Sequence, residues 1–197
     1  MRKHEYRNDV VLKPQDVLVA LKAALQEPSV RFSFADVAKS VGVSRSEVHA
    51  AVQRCLQARL MMRVAHRVDS PAAVNRTNLL EFLLHGVKYA FPPTHGGITR
   101  GMPTGYAAPI LRSHFAATAA LPPVWPTPTG HVRGRAFEPL YPSAPLAASN
   151  DAALYAALAL VDALRGGAAR DREIAARMLA EMLTSGRGTG ERESRLA

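Results

Sequence analysis

The sequence predicts a mainly α-helical protein: three helices with a short β-hairpin, a long Pro/Gly-rich irregular middle, and a C-terminal helical hairpin. Three observations lead there. Apolar residues recur at helical spacing before Phe91 and again after Asn150. Eleven of the fourteen prolines, with six glycines among them, fall between Pro92 and Pro145. Positive charge is concentrated ahead of that stretch. Residues 1–91 hold 14 basic and 8 acidic side chains, residues 92–149 hold 4 and 1, and residues 150–197 hold 7 of each, for a net +9 in 197 residues.

The first helix is expected from Pro14, suited to a first helical turn, to Gln26, with Val17, Leu18, Leu21, Ala24 and Leu25 forming one apolar stripe. Ser33 then reads as an N-cap for a short helix, Phe34 to Val41, stopped by Gly42. Ser44-Arg-Ser-Glu47 has the form of a capping box and opens a longer helix reaching about Arg59. After it, Met61 to Val64 reads as a strand, Ala65 to Pro71 as a tip, and Ala73 to Asn75 as a returning strand.

The segment from Phe34 has the spacing of a helix-turn-helix. That motif needs a small residue where the second helix crosses the first, a turn glycine able to take positive φ, and buried apolar residues at set offsets. With Phe34 as the first position, Ala38 is the small fifth residue and Gly42 the ninth. Val37, Val41, Val43, Val48 and Ala51 fill the apolar places. In such a motif the second helix enters the major groove of DNA. Its inner side would be Val48, Ala51, Val52 and Cys55, the cysteine serving as a small buried hydrophobe. Its outer side would be Ser44, Arg45, Ser46, His49, Gln53, Arg54 and Gln57. Arg45 suits guanine and Gln53 suits adenine, while the others suit phosphates or bases. Arg63, His66, Arg67 and Arg76 give the hairpin the charge that a backbone contact requires.

This order of helices and hairpin, with Phe34 to Val52 and Val74-Asn75-Arg76, resembles the winged helix-turn-helix of bacterial transcriptional regulators, most closely the MarR-like group. The resemblance spans about residues 13–76. It implies a homodimer on a palindromic operator, although the proline-rich middle departs from that group. The division expected is a DNA-binding domain at 1–76, a dimerisation or partner/effector region at 77–183, and a disordered tail at 184–197.

Thr77 to Phe91 is nearly apolar all round, so a helix there must be covered on most sides, with His85 as a hydrogen-bonded core residue. The middle, Pro92 to Ser149, carries Tyr106, Phe115, Trp125, Phe137 and Tyr141, and is expected to wrap the body or a dimer partner with little regular structure. Arg133-Gly134-Arg135 within it reads as a surface loop or a second anion contact. Leu154, Leu158, Val161 and Leu164 stripe a first C-terminal helix, and Ile174, Met178, Leu179 and Met182 stripe a second.

Several classes are disfavoured. One cysteine allows neither an internal disulfide nor a cysteine metal cluster, which fits a reducing cytoplasm. The longest apolar run, Ala152 to Val161, is far short of a membrane span, and the charged N-terminus does not resemble a signal peptide. No nucleophile elbow, zinc-protease signature or phosphate loop is present, so no catalytic residue, cofactor or metal is expected. The leading expectation is a sequence-specific transcriptional regulator, a homodimeric repressor binding double-stranded DNA. Two alternatives stay open: an antitoxin-like protein holding a partner encoded nearby, and a regulator sensing a small molecule among Phe82, Tyr89, Phe91, Tyr106 and Trp125.

Overall fold

Proline at the first helical position and an acid at the third start helix α1 (Pro14–Leu25), where the Asp16 carboxylate accepts from the Lys13 N–H at 2.8 Å. The computed structural model describes residues 11–26, 33–64, 72–115 and 121–185. The expected apolar stripe of α1 proves too narrow: every residue from Asp16 to Leu21 is fully buried. Helices from both halves of the chain cover it, which is why no polar face is needed.

Ser33 caps α2 (Phe34–Val41) by accepting from the Asp36 N–H at 3.3 Å. Gly42 ends the helix at φ 69°, the left-handed region that a residue without Cβ reaches freely, and the Val43 N–H closes the turn onto Ala38 at 3.1 Å. Helix α3 (Arg45–Gln57) buries Val48, Ala51, Val52 and Cys55. Arg59, at φ 60°, then turns the chain into β1 (Met61–Arg63), which pairs antiparallel with β2 (Ala72–Val74), Met61 opposite Val74. The expected hairpin tip lies outside the described residues.

The apolar stretch that follows is helical but not uniform: α4 (Arg76–Glu81), a π-helical turn over Phe82–Gly86, and α5 (Val87–Ala90). Leu79, Leu83 and Val87, four apart, bury one face only. His85 therefore is not the core histidine expected; its side chain is 73% exposed, 3.9 Å from Glu81.

The middle departs most from expectation. Instead of an irregular wrap it forms a small sheet from β3 (His95–Pro103), β4 (Pro123–Pro126) and β5 (Val132–Phe137). β3 runs antiparallel to both others and β4 parallel to β5, so the three strands close on themselves. Gly101 and Gly134 make the closure feasible: a Cβ on Gly101 would strike the Trp125 carbonyl, and one on Gly134 the Pro122 carbonyl. A single turn of 3-10 helix (Gly105–Ala107) and a short α6 (Pro109–Arg112) connect β3 towards β4.

The C-terminal part adds α7 (Ala144–Asn150), α8 (Ala152–Gly166) and α9 (Ala169–Ser185). α8 and α9 pack together as expected, but α8 is no striped surface helix, because Ala157 to Arg165 are all buried. It also packs on α1, α5, α6 and α7. Asp151 fixes its start, accepting from the Leu154 N–H at 2.9 Å and from Lys22 Nζ of α1 at 2.7 Å. α7 rests on α2, where Ser143 Oγ donates to the Val41 carbonyl at 2.5 Å. One apolar core thus runs from Val17 through Leu83 to Leu183. The described residues are mainly helical, with two small sheets.

Candidate nucleic-acid interface

Helix α3 buries one side against α1 and α2 and presents the other. Ser44, Arg45, Ser46, His49 and Gln57 are exposed, and Gln53 is half-buried. Ser44 Oγ accepts from the Glu47 N–H at 3.1 Å and lies 2.9 Å from Ser46 Oγ. This is half of the expected capping box. The other half is absent because the Glu47 carboxylate faces α1, accepting from Arg54 Nη2 at 2.6 Å and from Gln15 Nε2 at 3.0 Å. Arg45 makes no hydrogen bond or ion pair among the described residues. The His49 ring leans on Phe34 at 5.6 Å between centroids. Arg63 is exposed on β1, whereas His66 and Arg67 lie outside the described residues.

Two expected contacts are corrected. Arg54 does not face outward: its Nε and Nη2 grip the fully buried Asp16 carboxylate at 2.8 and 2.7 Å. The turn of α3 that carries Arg54 crosses the start of α1, so the guanidinium is spent on tying the two helices together. The Asp16 hydrogen bond, ahead of the one to Glu47, holds the Arg54 pKa above its ordinary value. Reciprocally, hydrogen bonds from Arg54 first and Gln15 second hold the Glu47 carboxyl below its usual range. Arg76 is likewise occupied, donating from Nη2 to the Ala24 carbonyl at 2.6 Å in the last turn of α1. Such terminal carbonyls lack a helical partner, and a cation there satisfies one.

Cys55 keeps its expected place on the inner side. Its thiol donates to the Asp16 carbonyl at 3.6 Å, and burial, with the Asp16 charge second, pushes it up to about 12.

The five aromatics expected around a small molecule do not converge. Phe82 and Phe91 meet edge-on at 6.4 Å, Tyr106 meets Phe115 at 6.2 Å, and Tyr89 is 76% exposed. Trp125 is buried and donates from Nε1 to Asp162 at 2.6 Å. Of the five, only Tyr106 lines a cavity of about 300 Å³, beside His95, Arg135, Phe137, Asp162 and Asp171. Sequence reasoning missed this cavity because its walls come from separate segments with no shared spacing.

Asp162 is the second buried carboxylate missed in the sequence. It accepts from Thr104 Oγ1 at 2.8 Å, Trp125 Nε1 at 2.6 Å and Arg165 Nη1 at 2.6 Å. Burial pushes its carboxyl up, against the pull of Arg165 and the two hydroxyl and indole donors. Arg165 Nε continues to the Phe91 carbonyl at 2.8 Å, and its guanidinium lies 5.5 Å over the Phe137 ring.

Among the described residues no group of three metal-ligating side chains gathers, and no helix is long and apolar enough to cross a membrane. No known protein family, curated protein or solved structure matches this chain.

Proposed function

We propose that the chain is a sequence-specific DNA-binding regulator of the winged helix-turn-helix kind, with α3 in the major groove and the β1–β2 hairpin over the backbone. One observation carries the reading. Arg45 stands exposed and partner-free at the start of a helix whose opposite side is locked to α1 by Asp16, Arg54 and Glu47. A guanidinium held on a rigid helix, near its N-terminus, is what bidentate recognition of a guanine edge requires. Ser44 and Ser46 flank it with hydroxyls suited to phosphate, and His49, Gln53 and Gln57 continue the face. Arg54 and Arg76 belong to the scaffold in this reading, and Arg63 remains as a backbone contact.

Two copies are proposed to bind one site, each presenting one α3. Selection of bound duplexes from a random pool tests the reading, and half-sites about 34–36 Å apart are the expected product. With the selected site in hand, Arg45→Ala and Gln53→Ala should each reduce discrimination against unrelated DNA by about 1–3 kcal/mol. Wild-type discrimination in both variants would refute the assignment of α3.

A further inference from the structure

The β3–β5 ribbon carries a charged face that the fold does not need. Arg100 lies directly opposite Arg133 and Ile98 directly opposite Arg135, so all four side chains share one face. The three arginines are exposed, and none of their side chains makes a hydrogen bond or ion pair among the described residues. The alternation is simple. Gly101 and Gly134, next to the arginines, turn inward where a side chain would strike a neighbouring strand, and the arginines turn outward. Packing explains the glycines. It explains none of the arginines, and two like charges placed directly across a ladder lower its stability.

The ribbon itself has little acidic charge to answer them. Asp162 and Asp171, which line the same cavity as Arg135, make no ion pair with it among the described residues and are held by Arg165 and by the Ala168 N–H. Glu138, just beyond the end of β5, is the single acidic residue of 92–149. Ile98, 55% exposed, sits on the same face opposite Arg135. Arginines spaced by two on a strand, with a third across the ladder, can fork onto successive anionic oxygens along an extended polyanion.

We propose that this face binds the phosphate backbone of duplex DNA, as a second contact separate from α3. It rests on the reading of the chain as a DNA-binding protein, and it supplies affinity without reading sequence.

The full-length protein is titrated with a random-sequence 30-base-pair duplex across a series of NaCl concentrations. Arg100→Gln/Arg133→Gln/Arg135→Gln is compared with wild type and with Arg45→Ala/Gln53→Ala. The triple variant should keep its fold and lose about 2–3 units of the slope of log K against log salt, because each neutralised phosphate contributes about 0.9. Should the triple variant prove poorly folded, Arg133→Gln alone should lose about one unit. A wild-type slope in a folded variant would overturn the proposal, as would a wild-type protein that ignores random duplex or prefers an acidic peptide. The two readings fail separately. Loss of slope with no selected site leaves the ribbon standing and removes α3, while a selected site with an unchanged slope does the reverse.

Discussion

Asp16 is met by an arginine 38 residues away on another helix, whereas Asp162 takes its arginine from one turn further along the same helix. Both carboxylates are buried beneath the surface, and both are fully hydrogen-bonded. The Asp16 pair is itself the long-range tie, fixing where α3 lies on α1. The Asp162 pair is local, and its reach comes from what the two partners do with their remaining groups. Asp162 takes Thr104 and Trp125 from the sheet region, and Arg165 takes the Phe91 carbonyl. The first network sets the attitude of one exposed helix. The second fastens β4 and the chain at the end of β3 to α8. A buried ion pair organises a fold through the groups it engages, whatever the separation of its charges in sequence.

Removing Arg165 should have the largest effect. Arg165→Ala leaves Asp162 buried without its counter-charge, and such losses cost about 3–5 kcal/mol. A shift of that size in the urea midpoint, with altered Trp125 fluorescence, is the expected result. A loss below about 1 kcal/mol would mean that the middle holds its place without the network.

Arg54→Ala should come next. It also strands a buried aspartate, but its side chain is 16% exposed, so water can reach the vacated site and soften the loss to about 2–4 kcal/mol. The comparison is sharpened by readout: under the proposed DNA-binding function this variant should disturb DNA selectivity through α3, while Arg165→Ala should not beyond its cost in folded protein. A double-mutant cycle with Asp16→Asn should give strong coupling.

Cys55 gives a smaller test of how closed the α1–α3 seam is. With its thiol pushed up to about 12, the native protein should resist thiol reagents at pH 8 and react only as fast as it opens. Rapid native labelling would show that the seam breathes.

The smallest effect is pH dependence, and the two networks should differ in sign. The native Glu47 carboxyl lies below its ordinary 4.5 and binds its proton more weakly than in the unfolded chain. Its contribution is therefore present above about pH 4.5 and is lost as the pH falls through the native value. The Asp162 carboxyl is raised above 3.8, so its term favours the acid side and declines as the pH rises through that window. Glu47→Gln should narrow its gap from wild type on acidification. Asp162→Asn should alter the profile in the opposite sense.

Legibility in the sequence followed range. Ser33, Ser44 and Gly42 could be placed because caps and turns are settled within four residues. The buried side of α3 followed from spacing along one helix. The outward placing of Arg54 fails because helical spacing says which residues share a face and not which neighbour covers that face. The sheet was missed because prolines at both ends of β4 and glycines in β3 and β5 read as breakers. In a closely closed ribbon they are what the geometry demands: proline at strand ends, glycine where backbones touch. The Arg133-Gly134-Arg135 alternation was the available signal, and its period of two marks a strand.

The sequence by itself determined the helices on either side of the middle, the caps at Ser33 and Ser44, the turn at Gly42, the inner side of α3 and the placing of positive charge, since these depend on neighbours within a few residues. Only the tertiary structure decided which arginines are free. Arg54, Arg76 and Arg165 are held by acceptors contributed from distant segments, while Arg45, Arg100, Arg133 and Arg135 face solvent. An arginine's role is set by whether a buried acceptor lies within reach, and that is a property of packed elements rather than of sequence spacing.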